Sequence, residues 1–206
     1  METNNITFGA NYIMPARVKK GVKILNYNMY FPSKASFVQI DFNNEQDVKV
    51  LSALKDIWKG ANFLQCISTI KYPKREKVYA LTAQQKNFDN LEPSKILGLV
   101  KTSDFFCKDG EILYLQVNPA NINIGDDKKP FYKKCGTAIL DSLKKLYNRI
   151  QLTSADDVDV ENFYLCNEFR NIDNWYGRYI WEKNADKNTD VLTSFLNDRR
   201  NKTCGE

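Results

Sequence analysis

Tyr132-Lys133-Lys134-Cys135-Gly136-Thr137-Ala138-Ile139-Leu140 joins two lysines and a glycine to the start of a helical pattern. It follows the apolar run Ile112-Leu113-Tyr114-Leu115-Gln116-Val117-Asn118-Pro119. A strand, a basic turn and a helix start together make a cradle for an anion. The first N–H groups of a helix lack intrahelical acceptors, the dipole is positive at that end, and Lys133 and Lys134 add formal charge. Gly136 allows close backbone approach, and Thr137 and Ala138 add little bulk. The chain has no histidine. This removes Ser-His-Asp and Cys-His nucleophilic sites and most catalytic zinc sites, so acid–base work falls to Glu, Asp, Tyr, Lys or water.

The elements that must position the cradle read in the order β-α-α-β-β-β-α-β-α-β. Residues 1–35 read as an irregular extension with a hairpin around Val22-Lys23-Ile24-Leu25. Phe37–Phe42 is a strand. Asn43 or Asn44 caps a helix whose face carries Val50, Leu51, Leu54, Ile57 and Trp58. A second helix is expected over 62–70, ended by Pro73, followed by strands at Val78–Ala83, Ile96–Val100 and Glu111–Val117. Ile139, Leu140, Leu143, Leu146 and Tyr147 define the helix after the cradle. Arg149–Ser154 is a strand, Val160, Phe163, Tyr164 and Phe169 mark a further helix, Trp175–Trp181 is a strand, and 188–199 is amphipathic. Three consecutive strands imply an antiparallel meander, and the later strand-helix-strand crossover makes its two strands parallel.

Composition narrows the classes. The chain of 206 residues suits one domain with extensions, has no stretch of 18 apolar residues, and starts without a signal-peptide pattern, so a cytoplasmic protein without a membrane partner is expected. Five cysteines without a C-x-x-C pair read as reduced thiols, with no metal site. The net charge of +5 is spread through the sequence without a run of like charges, so nucleic acid is not an expected partner.

Three motifs resemble the Gcn5-related N-acetyltransferase (GNAT) superfamily over residues 36–183. The family's acetyl-CoA signature is Arg or Gln, two residues, Gly, one residue, then Gly or Ala, and Lys133-Lys134-Cys135-Gly136-Thr137-Ala138 matches it with Lys in first place. Leu115-Gln116-Val117-Asn118-Pro119 resembles the strand ending in Val-x-Pro. Phe163-Tyr164-Leu165-Cys166-Asn167-Glu168-Phe169 resembles Phe-Tyr-x-x-x-Gly-Phe. The departures are Lys133 and Lys134, where Arg or Gln and then Gly are usual, Glu168 in place of Gly, and a long segment from Pro119 to Gly136.

The resemblance implies an α/β (α+β) fold: a mixed, mostly antiparallel twisted sheet with helices on both faces. It leaves 1–35 as an N-terminal extension and 184–206 as a C-terminal helical tail. It further implies an acyl-CoA-dependent N-acyltransferase that moves acetyl from acetyl-CoA to a primary amine by direct attack. Gln116, Val117 and residues Lys133, Lys134, Cys135, Gly136, Thr137 and Ala138 would hold the coenzyme. Tyr164 matches the general acid that protonates the departing thiolate, a transfer nearly balanced between a phenol near pKa 10 and a thiol near 8.5. Glu111 lies where the histone-acetylating branch carries its catalytic glutamate, with a water relay as its rival. Cys135 and Cys166 read as bystander thiols open to alkylation. The amine is small-molecule or protein, and the tail allows a homodimer. A catalytically inactive domain that binds CoA or a partner would carry the same motifs.

Overall fold

The computed structural model describes residues 10–25, 27–58, 66–67, 69–85, 90–105, 108–122, 129–154, 158–173 and 177–183. β1 (Asn11–Ile24) and β2 (Tyr27–Gln39) form a long antiparallel hairpin that turns at Leu25, which sits at φ +44. From Asn11 on this replaces the irregular chain expected over residues 1–35, while the hairpin expected around Val22-Lys23-Ile24-Leu25 is present with its turn at Leu25; residues 1–9 lie outside the described residues. The strand expected at Phe37 begins ten residues earlier, at Tyr27. Its outer half has exposed residues on both faces, so it lacks the alternation of buried and exposed positions by which a strand is recognised.

α1 (Glu45–Ile57) starts where expected. The Asn44 side chain accepts from the N–H groups of Gln46 and Asp47, and Glu45 and Asp47 lie on the favourable side of the dipole. Asp47 is fully buried and its carboxylate accepts N–H bonds from Ala10 and Asp41, which ties the helix to the start of β1. The next elements are β3 (Glu76–Thr82), β4 (Ile96–Asp104), β5 (Asp109–Val117), the two-residue β6 (Tyr132–Lys133) and α2 (Cys135–Leu146). Then come β7 (Arg149–Thr153), α3 (Val158–Cys166), β8 (Arg170–Asp173) and β9 (Arg178–Glu182). Most of the helix expected over 62–70, and all of that over 188–199, lie outside the described residues. β6 and β8 were missed, being two and four residues long.

Two units divide the chain: Met1–Thr102 with Tyr114–Ser142, and Ser103–Leu113 with Leu143–Glu206. In the first the strand order is β6-β1-β2-β3-β4-β5, the last three being the expected meander neighbours. Its core joins Val50, Leu51, Leu54 and Trp58 of α1 to Val38, Val78, Ala80, Ile96 and Leu99 of the sheet. In the second the order is β5-β7-β9-β8, with β5 and β7 parallel, as the crossover requires, and the other pairs antiparallel. The fold is thus mixed α/β with a large, mostly antiparallel sheet.

Within the first unit Lys101 and Glu76 form an ion pair at 2.8 Å, both side chains about 5 % exposed or less. Lys101 Nζ also donates to the Thr69 carbonyl at 2.7 Å, and Glu76 accepts from the Lys71 N–H. Burial alone would raise the Glu76 carboxyl. The Lys101 and backbone hydrogen bonds outweigh it and hold the group below its ordinary range. The pair pins residues 69–71 to the sheet.

Candidate functional site

The cradle lies in the first unit, and the residues around it explain how the chain reaches it. At the end of β5, the Asn118 N–H donates to the Leu97 carbonyl at 2.9 Å and its side-chain amide to the Ile96 carbonyl at 3.0 Å. Its side-chain oxygen caps the turn Pro119–Asn121, and Asn121 in turn accepts from the Tyr132 N–H. Both ends of the long connection are therefore fixed, although 123–128 lie outside the described residues. The Asn-Pro dipeptide was the available signal.

β6 pairs with β1, with Lys133 opposite Lys19. The Lys133 side chain does not turn to the helix start. Its Nζ sits 4.5 Å from the centroid of the Tyr30 ring, so its charge lies over that ring, on the β1–β2 face, and not at the cradle as expected. Lys134 is exposed and adopts φ +62, a left-handed conformation, and its carbonyl accepts the Ala138 N–H at 2.9 Å. The N–H groups of Gly136 and Thr137 precede that first committed bond and have no intrahelical acceptor. A left-handed residue followed by helical ones turns successive N–H groups into a concave anion site. Thr137 is half-buried, and Cys135, Gly136 and Ala138 are buried.

The Cys135 thiol is pushed up to about 12 by burial, so it is a poor nucleophile, contrary to the expected sensitivity to alkylation. Cys66 and Cys135 are free thiols. Cys166 is disulfide-bonded. This corrects the expectation of reduced thiols throughout. Pairing depends on separation in space, which spacing along the chain does not reveal.

α2 packs closely on the strands. A Cβ at Gly98 would lie 2.7 Å from Ile139 Cδ1 and 3.1 Å from the Gln116 carbonyl oxygen. Gln116 donates its side-chain N–H to the Val117 carbonyl at 2.9 Å. Glu111 to Val117 behaves unevenly along its length. Asp109–Ile112 pair with Arg149–Leu152, and the ladder stops there while β5 runs on to Val117.

Tyr164 and Glu111 belong to the second unit. The Tyr164 ring is buried and packs against Phe163, Phe169 and Tyr179, with centroids 5.2, 5.7 and 5.7 Å away. Burial pushes its phenol up to about 12. Among the described residues its hydroxyl has no hydrogen-bond partner. Against a thiol near 8.5, complete transfer of its proton is uphill by about 3.5 pKa units, or about 5 kcal/mol, rather than nearly balanced.

Glu111 is half-buried. Burial raises its carboxyl, and Arg178 pulls it partly back. Directly paired residues share a sheet face, and neighbours along a strand alternate. Glu111 opposes Gln151 and Gln151 opposes Ile180, whereas Ile112 opposes Leu152 and Leu152 opposes Tyr179. Glu111 therefore leaves the face opposite to the one where Tyr164 meets Tyr179. Asp109, Arg149 and Gln151, on the Glu111 face, line a cavity of about 160 Å³ with Phe105 and Gly110.

The departure at Glu168 has a local cause. The Glu168 N–H bonds the Leu165 carbonyl and the Phe169 N–H the Tyr164 carbonyl, both at 3.1 Å, with Glu168 at φ +65. This is a Schellman cap, whose left-handed position favours glycine. Lys144 Nζ compensates, donating to the Asn167 carbonyl at 2.6 Å and pairing with Glu168 at 3.1 Å. Phe169 thus lies beyond the end of α3, not on its face.

No family model and no curated protein matches the chain. Among the solved structures it resembles are several described as acetyltransferases. One of the GNAT family from Staphylococcus aureus is 13% identical, covering 72% of this chain and 99% of its own, with a TM-score of 0.44. A Bacillus subtilis acetyltransferase in complex with CoA is 12% identical, covering 71% and 97%, at 0.42. An IAA acetyltransferase from Bacillus cereus is 13% identical, covering 72% and 99%, at 0.40. No helix of the described residues is long and apolar enough to cross a membrane.

Proposed function

We propose that the chain is an acyl-CoA-dependent N-acyltransferase of the GNAT type, moving acetyl from acetyl-CoA to a primary amine. The observation that carries this is the start of α2. Lys134 holds a left-handed turn, Gly136 and Thr137 offer uncommitted N–H groups, and all three lie within the segment that resembles the signature, Gly136 at its specified glycine. These groups suit a pyrophosphate. Lys134 supplies the flexible cation, Lys133 the anchored turn, and Cys135 and Ala138 the buried side of the helix. Backbone groups of Gln116 and Val117, beyond the end of the β5–β7 ladder, suit the pantetheine arm.

In this scheme the amine lone pair attacks the thioester carbon, the tetrahedral centre collapses, and the C–S bond breaks to release CoA thiolate. Tyr164 donates its O–H to the sulfur as charge develops. Because full transfer is uphill, its contribution is the hydrogen bond, and solvent delivers the thiolate proton. Glu111 accepts the amine proton through water rather than directly, in keeping with its place on the other face. The raised Tyr164 phenol favours one second reading, a non-catalytic domain that binds CoA. Calorimetry with acetyl-CoA, followed by free-thiol release over pooled amines, separates the two. Absence of acetyl-CoA binding removes both, and binding without thiol release leaves the second.

A further inference from the structure

The β1–β2 hairpin carries Arg17, Lys19, Lys20, Lys23 and Lys34 and no Asp or Glu from Asn11 to Gln39. That equals the formal net charge of the whole chain, so the remaining residues balance to zero. The charge is therefore not spread, as the sequence suggested, but gathered on one element. Register sorts it further. Arg17 opposes Lys34, Lys19 opposes Pro32, Gly21 opposes Tyr30, Lys23 opposes Asn28, and on the other side of β1 Lys19 opposes Lys133.

Opposed residues share a face, so Arg17, Lys19, Lys23, Lys34 and Lys133 project together. All five are exposed. Among the described residues, Arg17, Lys19, Lys23 and Lys34 form no ion pair. Two cation–cation pairs lie directly opposite one another, Arg17 with Lys34 and Lys19 with Lys133, an arrangement that destabilises a sheet unless an anion lies over it. From Arg17 to Lys23 the track runs about 20 Å at about 3.4 Å per residue.

We infer that this face binds the phosphate backbone of a nucleic-acid strand, independently of the acyl-transfer proposal. Chemistry on the two faces chooses this partner over an anionic bilayer. Of the exposed aliphatic residues of the hairpin, Val22, Ile24 and Met29 lie on the opposite face, with Val22 opposing Met29 and Ile24 opposing Tyr27, and Leu25 sits at the turn, beyond the basic row. Between Arg17 and Lys23 the basic face presents no Val, Ile, Leu or Met, its apolar groups being the rings of Pro32 and Tyr30. A linear row of cations without a hydrophobic wedge matches a charged polymer whose phosphates repeat along one line.

The test uses the full chain with a labelled single-stranded RNA 20-mer, a 20-base-pair DNA duplex, and phosphatidylserine vesicles. Five phosphate contacts on a single strand give a slope of log affinity against log salt of about −3.5, or about 100-fold loss from 50 to 200 mM salt. The variant Arg17→Gln/Lys19→Gln/Lys23→Gln leaves two contacts, with a slope of about −1.4 and about 7-fold loss over that range. Acetyl-CoA binding should be retained, and the unfolding midpoint should not fall, since one cation is removed from each like-charge pair. Equal slopes for the two proteins overturn the inference, as does binding to the vesicles without binding to either nucleic acid, or no nucleic-acid binding at 50 mM salt.

Discussion

Replacing Glu168 by glycine and by alanine asks whether the cap that ends α3 is held in a costly backbone conformation. Both changes remove the Lys144–Glu168 ion pair, so its contribution cancels in the comparison; with Glu168 59% exposed it is worth about 0.2–1 kcal/mol. What remains is the backbone. At φ +65 a residue with a Cβ pays about 1–2 kcal/mol, and glycine returns about 0.4–1 kcal/mol of that through its freer unfolded chain. Glycine should therefore exceed alanine by about 0.8 kcal/mol at this position, the difference between the midpoints of those two ranges. The control is Asp141, exposed in the interior of α2, where glycine should fall about 1 kcal/mol below alanine. Urea unfolding reads both as midpoint shifts at constant slope. If alanine equals or exceeds glycine at 168, the left-handed cap is not where the chain stores this cost, and the account of Glu168 as a glycine substitute fails.

Tyr164→Phe should lower turnover about 10- to 100-fold, the loss of one hydrogen bond to a charged sulfur at about 1.5–3 kcal/mol, with little change in KM for acetyl-CoA; unchanged thiol release would remove Tyr164 from the chemistry. Glu76→Gln should cost about 3–5 kcal/mol because it strands Lys101 in the interior, and a loss below about 1 kcal/mol in chemical unfolding would show that the pair is solvated. Since Glu76 is held below its unfolded value, its contribution should be present above about pH 4.5 and fade as acid protonates it. Cys135 and Tyr164 run the other way. Each sits at about 12 in the fold, so stability should be intact below their unfolded values and fall as pH rises towards 12. Cys135→Ala should remove the earlier part of that fall, and rapid iodoacetamide labelling of Cys135 in the folded protein at pH 8 would contradict its burial.

What could be read in the sequence depended on whether tertiary contact was needed to see it. α1, α2 and β3 to β5 announced themselves because one face of each is buried, and their caps and turns carry the chemistry of their ends, as Asn44 does for α1. The outer half of the hairpin showed only its turn, around Val22-Lys23-Ile24-Leu25, and not the length of its strands. Its two faces are both exposed, one basic and one apolar, so its period of two separates charge from hydrocarbon and not surface from core. The environment of Tyr164 was equally invisible, because a pKa set by Phe163, Phe169 and Tyr179 requires the helix to be placed first. Lys134 and Glu168 are the instructive case. Sequence marked both as departures from positions usually held by glycine, and the structure finds both at φ above +60. The glycine in each motif is therefore a statement about backbone conformation, which this chain keeps while changing the residue. At Glu168 the Lys144 ammonium offsets the cost through two acceptors. At Lys134 no such partner is present among the described residues, so the left-handed turn there is held by the β6–β1 pairing before it and the α2 hydrogen bonds after it. Retaining that geometry without glycine is what makes the start of α2 a candidate coenzyme site, since a turn kept against its residue preference has to be kept by the rest of the fold.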